Sequence, residues 1–132
     1  MKDAALIGAV ALGGAVGAVL RYLVYAGTRR VHTIVGGVEL PIATLAVNVV
    51  GSLAFGVLIA TLPERPVLRG LLLVGLLGAF TTFSTFAFDT FAMFRDGRPG
   101  LAILNIVANN LICVLFAWAG FRAALALAPA AT

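Results

Sequence analysis

Polar residues recur at helical spacing inside the long apolar stretches of this sequence, and their side chains are the ones suited to chemistry. They form three stripes: Thr44, Asn48 and Ser52; Thr82, Thr85 and Asp89; and Asn105, Asn109 and Cys113. Residues three, four or seven apart lie on the same face of a helix. Their hydroxyl and amide groups donate hydrogen bonds, which can either join neighbouring helices or line a path for an ion. The stripes alone leave both interpretations open.

The stretch 78–94, GAFTTFSTFAFDTFAMF, mixes aromatic rings with hydroxyl groups and contains six of the nine Phe residues. Gly75 and Gly78 are poor helix residues, and clustered threonines divert backbone hydrogen bonds. We therefore predict that the helix breaks near residues 78–82. A broken membrane helix exposes carbonyl groups that can bind a cation, and it is tolerated only beside protein or a cavity. A Phe ring edge is electropositive, so rings presented edge-on could contact an anion weakly.

Asp89 is the one acidic residue well inside an apolar stretch. It can be an acid near the membrane interface that pairs with an arginine, or a carboxylate on an ion or proton pathway. Arg21, near the end of the first apolar stretch, is the candidate charge partner.

The elements that must position these residues are membrane-spanning helices. The chain has 132 residues, 62% hydrophobic and 11% charged, whereas soluble domains are about 45–50% apolar and about 25% charged. A span needs roughly 20 apolar residues, so the length allows about four. We predict an all-α integral membrane protein, one domain over 1–132, with spans at about 4–26, 40–62, 67–94 and 101–127. Polar breaks at LPERP (62–66) and RDGRPG (95–100) separate the later spans.

Charge and residue counts exclude several functional classes. The net charge is +4, but the nine Lys and Arg residues are scattered between apolar runs, which argues against a nucleic-acid partner. The single Cys excludes an intrachain disulfide, and with a single His it argues against a His/Cys metal site. No Ser–His–Asp set or pair of carboxylates can be assembled within the membrane, so we predict that the protein is not an enzyme.

The positive charges are almost balanced across the predicted membrane. One side has Lys2, Arg65, Arg69 and Arg122 on or near it, and the other has Arg21, Arg29, Arg30, Arg95 and Arg98. Four against five gives the positive-inside rule little bias on which to act. The chain could therefore insert in both orientations and form an antiparallel homodimer. The alternative is a single orientation set by one dominant loop.

Three motifs give the chain a family resemblance. They are GGAVGAVLRY at 13–22, LPIATLAVNVVGSLAFG at 40–56 and GLLGAFTTFSTF at 75–86. Together they resemble the Fluc, or CrcB, family of fluoride channels, and the similarity extends over the whole chain in length and number of spans. TTFSTF is the specific element, and the VNxxG pattern supports it.

The resemblance implies a function and an assembly. It implies a passive channel that exports cytoplasmic fluoride and relieves fluoride toxicity, located in the bacterial plasma (inner) membrane. The working unit would be an antiparallel, dual-topology homodimer in the lipid bilayer with two pores along its interface. A structural sodium ion would sit at the dimer centre, where the third helix breaks.

The resemblance also implies roles for individual residues. Phe83 and Phe86 would line the fluoride path, and the amide of Asn48 would point into it. Ser84 and Thr85 would form a hydroxyl track beside Thr82. Arg21 would lie in the vestibule. Gly78 and Thr81 would bind sodium through their carbonyls. Phe88, Phe91 and Phe94 are expected to be packing residues. Relatives often have Tyr and hydroxyl residues on span 4, where this chain has Asn105, Asn109 and Cys113; an amide at Asn109 still offers donors to an anion.

Two alternatives differ in mechanism. A proton-coupled exporter of the small multidrug transporter type also has four spans and dual topology, but it relies on a carboxylate in span 1, where this chain has none. A substrate-dependent proton flux that needs Asp89 would favour it. A non-transporting scaffold subunit would use the polar stripes only to join helices.

Overall fold

The computed structural model describes residues 2–28, 34–35 and 38–127. Its elements in chain order are α1 (Lys2–Thr28), β1 (Ile34–Val35), β2 (Val38–Glu39), α2 (Ile42–Thr61), α3 (Pro66–Arg69), a π-helical segment (Gly70–Leu77), α4 (Gly78–Phe80), α5 (Phe83–Arg95) and α6 (Pro99–Leu127). Four stretches are long and apolar enough to cross a membrane: Asp3–Thr28, Ile42–Thr61, Pro66–Arg95 and Pro99–Leu127. The prediction of four apolar helices is confirmed. Arg29 and Arg30, which enter the charge comparison, lie outside the described residues.

The connections between the spans are short. β1 and β2 pair in antiparallel register, Ile34 with Glu39 and Val35 with Val38, and add a small hairpin that the sequence did not predict. Pro66 begins α3, where its missing N–H costs no helical bond. Between α5 and α6, Gly97 adopts a φ of 71°, a conformation that glycine reaches without strain. In this turn the hydrogen bond from Arg95 lowers the pKa of the Asp96 carboxyl.

Glycines allow α1 to pack directly on the backbone of the third span. A side-chain carbon at Gly13 would collide with the carbonyl of Leu71, and one at Gly17 with the carbonyl of Leu76. Both carbonyls belong to the π-helical segment, whose wider turns the sequence did not predict. Small residues at helix contacts are the usual means of close packing in lipid, where the hydrophobic effect does not drive helices together.

A second helix pair forms between α2 and α6, again through glycines. A side-chain carbon at Gly56 would meet the carbonyl of Ala117, and one at Gly120 would meet the carbonyl of Leu53. The two glycines therefore face opposite helices in a reciprocal contact. This close approach brings the polar stripes of α2 and α6 within hydrogen-bonding distance of each other.

Two residues of the third span have an extended rather than a helical backbone. α4 ends at Phe80, and Thr81 (φ −78°, ψ 160°) and Thr82 (φ −150°, ψ 110°) are extended. α5 then begins at Phe83. The two extended residues lie against α2, and the candidate site is built around them.

Large apolar side chains cover the outside of the subunit. Phe88, Phe91 and Phe94 are all exposed in the single subunit, so any packing role that they have lies outside it. They follow one another at helical spacing on the outer side of α5, where lipid or a second subunit can cover them.

Candidate functional site

Asn48 and Thr82 form a two-way hydrogen-bonded pair across the interruption of the third span. The Thr82 N–H donates to Asn48 Oδ1 at 2.8 Å, and Asn48 Nδ2 donates to the Thr82 carbonyl at 3.2 Å. In a continuous helix the Thr82 N–H would bond the carbonyl of Gly78. Asn48 therefore replaces the bonds that the break removes, which explains how an interrupted backbone can lie inside an apolar bundle.

The Thr82 side chain begins α5 as a helix cap. Its Oγ1 accepts a hydrogen bond from the Thr85 N–H at 3.2 Å, as a residue at this position commonly does. The same oxygen lies 2.9 Å from Thr85 Oγ1 and 3.3 Å from Ser84 Oγ. Three hydroxyl groups therefore cluster on the first turn of α5, and their O–H bonds can rotate between partners.

Asn109 continues the polar contacts from α2 into α6. Asn48 Nδ2 donates to Asn109 Oδ1 at 3.3 Å, and Asn109 Nδ2 donates to Asn105 Oδ1 at 3.0 Å. Asn105 Nδ2 then donates to Thr90 Oγ1 at 2.9 Å. Asn105 and Asn109 are only 9% and 5% exposed, so these bonds replace water rather than compete with it.

Asp89, Thr44 and Tyr25 form a second hydrogen-bonded group of side chains. Thr44 Oγ1 donates to Asp89 Oδ2 at 2.8 Å, and the Tyr25 hydroxyl lies 2.8 Å from Thr44 Oγ1. Because the Thr44 hydrogen is used on Asp89, Tyr25 is the donor to Thr44. The prediction that Arg21 pairs with Asp89 is wrong: Arg21 Nη1 donates instead to the Thr81 carbonyl at 3.3 Å.

Phe83 and Phe86 follow the interruption on consecutive turns and are in contact. Their ring centroids are 5.4 Å apart and the ring planes are inclined by 56°. Phe83 is 77% exposed, whereas Phe86 is 7% exposed. The pair therefore reaches from the surface of the subunit into its interior.

A cavity of about 380 Å³ opens beside the interruption. Its polar and aromatic lining includes Asn48, Ser52, Thr81, Thr82, Phe83, Phe86, Asn109, Asn110 and Cys113. Members of all three sequence stripes therefore converge here: Asn48 and Ser52, Thr82, and Asn109 and Cys113. Ser84, Thr85 and Arg21 do not line it; Ser84 and Thr85 adjoin it through Thr82, and Arg21 adjoins it through Thr81.

Comparison with known proteins is decisive for the family. Residues 8–121 match the family described as "CrcB-like protein, Camphor Resistance (CrcB)". The chain belongs to the CrcB family. This confirms the resemblance that the three sequence motifs indicate, and the matched region contains every residue of the cavity lining and of the polar contacts described above.

Relatives in the CrcB family resemble the chain over most of its length. A protein of Magnetococcus marinus is 44% identical over 115 residues, which are 84% of this chain and 90% of the relative. One of Geobacter sulfurreducens is 41% identical over 121 residues, 88% of this chain and 94% of the relative. One of Elusimicrobium minutum is 40% identical over 127 residues, 94% of both chains. All three are named "Fluoride-specific ion channel FluC".

Two backbone carbonyls at the interruption, those of Gly78 and Thr81, are not fully used by helical hydrogen bonds. The Gly78 carbonyl loses its helical donor because the Thr82 N–H is bonded to Asn48. The Thr81 carbonyl accepts from Arg21 and keeps a second lone pair. Unwound carbonyls of this kind bind sodium in membrane transporters. The described residues contain no cluster of three His, Cys, Asp or Glu groups.

Thr90 and Tyr25 are the site residues that sequence reasoning missed. Thr90 accepts from Asn105, and Tyr25 contacts Thr44. Neither residue belongs to one of the three sequence stripes, and Tyr25 is on a helix without one. Only the packing of the helices brings them to the polar groups.

Proposed function

We propose that this chain is a passive, fluoride-selective channel that lets fluoride leave the bacterial cytoplasm through the inner membrane, and that it is not an enzyme. The observation that carries the proposal is the name shared by relatives 40–44% identical over 84–94% of the chain. The geometry supports it, because hydrogen-bond donors and ring edges meet at one cavity beside an interrupted helix. These are the groups that an anion without its water requires.

The working unit in this proposal is an antiparallel, dual-topology homodimer. Two features support it. The nearly balanced positive charges permit both orientations, and the cavity is bounded on one side by Phe83, whose ring is 77% exposed in the single subunit. A second copy of the chain would cover that ring and close the cavity, and two-fold symmetry would create two equivalent pores.

The pore in each half would run past Phe83 and Phe86 towards Asn48. Both hydrogens of Asn48 Nδ2 are bonded, one to the Thr82 carbonyl and one to Asn109 Oδ1. An arriving fluoride ion would accept a hydrogen bond from one of these N–H groups in place of the carbonyl or amide oxygen. When the ion moves on, the N–H group would return to that oxygen. Binding is thereby favourable and easily reversed, as conduction requires.

Further donors would come from hydroxyl groups and from one guanidinium. Thr82, Ser84 and Thr85 supply O–H bonds that rotate towards an anion, and Asn109 lies at the cavity wall. Arg21 would attract anions into the vestibule, since its guanidinium is half-buried close to the interruption. Fluoride holds water strongly, so that several donors must replace its hydration shell together.

Gly78 and Thr81 would hold a structural sodium ion through their carbonyls at the dimer centre. The support for this assignment is the freed Gly78 carbonyl and the extended backbone at Thr81. When bound, the ion would offset the negative charge of permeating anions. Fluoride flux that is the same after complete replacement of sodium by N-methylglucamine and long dialysis would argue against this part of the proposal.

The test of function is ion efflux from liposomes that contain the purified protein. We expect rapid fluoride efflux and chloride efflux no faster than in empty vesicles. Equal efflux of both ions, or of neither, would contradict the channel proposal. A substrate-dependent proton flux that disappears in Asp89→Asn would favour an exporter of the small multidrug transporter type instead.

A further inference from the structure

Four side chains, three of them buried and Asn48 half-buried, link the interruption of the third span back to α5 by way of two neighbouring helices. Asn48, Asn109, Asn105 and Thr90, here called the amide chain, are joined in this order by hydrogen bonds of 3.3, 3.0 and 2.9 Å. Thr82 N–H donates into one end, and Thr90 Oγ1 donates to the Phe86 carbonyl at 2.8 Å from the other. The chain therefore begins and ends on backbone groups only four residues apart.

The direction of every link is set by the two ends. A backbone N–H can only donate and a carbonyl can only accept. The atom of Asn48 that faces the Thr82 N–H must be Oδ1, so that its Nδ2 faces Asn109. The same reasoning turns Nδ2 of Asn109 towards Asn105 and Nδ2 of Asn105 towards Thr90. Reversing one amide would bring two donors or two acceptors together in a buried place, which is costly.

Membership of the amide chain and lining of the cavity are different properties of these residues. Asn105 and Thr90 are 9% and 8% exposed and do not line the cavity, although they belong to the amide chain. Asn110 has the opposite placement. It is exposed, lines the cavity and donates only to the Ile106 carbonyl of its own helix.

We infer that Asn105 and Thr90 are positioning residues for ion conduction: through Asn109 they hold the Asn48 amide, and through the Phe86 carbonyl they hold the first turns of α5. This inference rests on the proposed channel function. Asn109 is the side chain of α6 to which Asn48 is bonded, so a shift of Asn105 is passed directly to the group that would meet fluoride. The same shift reaches Phe86 through Thr90.

The test measures single-channel fluoride current in planar bilayers, because a misfolded protein adds no channels and leaves the unitary current unchanged. Asn105→Leu and Thr90→Val keep the side-chain volumes and break the amide chain. We expect each to lower the unitary current by roughly threefold or more, the factor that corresponds to losing one average hydrogen bond between membrane helices. Thr90→Ser, which keeps the hydroxyl, and Thr61→Val, which removes a hydroxyl that donates to the Val57 carbonyl of its own helix away from the cavity, should conduct like the wild type.

Asp89 on α5 and Cys113 on α6, titratable residues on two helices of the amide chain, are unchanged in all four variants, and measuring at one pH keeps their protonation constant. Wild-type unitary current in both Asn105→Leu and Thr90→Val, with or without fewer channels, would overturn the inference and leave the channel function intact. If Asn105→Leu does not fold, Thr90→Val against Thr90→Ser decides alone. Absence of fluoride current in the wild type would overturn the proposed function and this inference with it.

Discussion

Asn48 on α2 pairs with both backbone groups of Thr82, accepting from its N–H at 2.8 Å and donating to its carbonyl at 3.2 Å. The Asn48 side chain thus supplies hydrogen bonds that a continuous helix would give to Thr82. Because the pair is formed between spans, the interruption depends on the position of α2, and the stability of the subunit and the shape of the cavity are linked at this point.

Replacing Asn48 by Leu should destabilise the folded protein. The change leaves a buried N–H and a carbonyl without partners, at a cost of roughly 1–3 kcal/mol for each group that water does not reach. We expect a lower midpoint of thermal unfolding in detergent and loss of fluoride efflux. Asn110→Leu is the matched control, since Asn110 bonds only to its own helix. Equal unfolding midpoints for the two variants would show that Asn48 does not support the interruption.

The two aromatic residues after the interruption should respond differently to replacement by Ile. Phe83 is exposed and Phe86 is buried, so Phe83→Ile should leave the stability within about 0.5 kcal/mol, whereas Phe86→Ile should lower it by roughly 1–3 kcal/mol. Both should reduce fluoride efflux from liposomes. Unchanged efflux in Phe83→Ile, with the wild-type elution volume in size-exclusion chromatography, would assign this ring to lipid contact instead.

Close packing of α1 on the third span makes Gly17 intolerant of even a methyl group. In Gly17→Ala the new carbon collides with the Leu76 carbonyl, and the backbones must separate. We expect the free energy of unfolding to fall by roughly 1–3 kcal/mol, seen as a lower yield of folded protein after extraction. Gly8→Ala on the same helix meets nothing within 4 Å and should be tolerated. A stable Gly17→Ala protein would mean that α1 lies farther from the π-helical segment.

In the hydrogen-bonded group around Asp89, Thr44 should contribute more to the stability of the fold than Tyr25. Thr44→Val removes the only side-chain donor to Asp89 among the described residues, while Tyr25→Phe removes a donor from a hydroxyl that keeps its bond to Asp89. We expect Thr44→Val to lower the stability by roughly 1–3 kcal/mol and Tyr25→Phe by about 1 kcal/mol or less. Chemical unfolding in a mixed-micelle series measures both, and the reverse order would refute the assignment of donors.

Some of this site could be read from spacing alone. Thr44, Asn48 and Ser52 share one face because they are four residues apart, and the same holds for Asn105, Asn109 and Cys113. Spacing cannot tell which partner a stripe meets, so the sequence left contact between helices and an ion path equally open. The structure gives Asn109 two roles in one place: it bonds to Asn48 on a neighbouring helix and it also lines the cavity.

Other features required the packed molecule. Asp89 and Arg21 are suitable partners by charge, yet Thr44 reaches Asp89, and Arg21 reaches a backbone carbonyl. The π-helical segment arises from apolar residues with no sequence signal of their own, where α1 lies against the backbone. The exposure of Phe88, Phe91 and Phe94 likewise depends on how α5 is rotated against its neighbours, which the Phe spacing does not specify.

By itself the sequence determined that the protein has four apolar helices, belongs to the CrcB family and carries its polar residues in three helical stripes. These properties follow from composition, periodicity and local motifs, which act over a few residues. Only the tertiary structure decided which donor meets which acceptor, because hydrogen bonds between spans join residues 15 to 61 positions apart, from the bond of Asn105 to Thr90 up to that of Asn48 to Asn109. Their geometry depends on helix separation and rotation, and the glycine contacts between backbones set both.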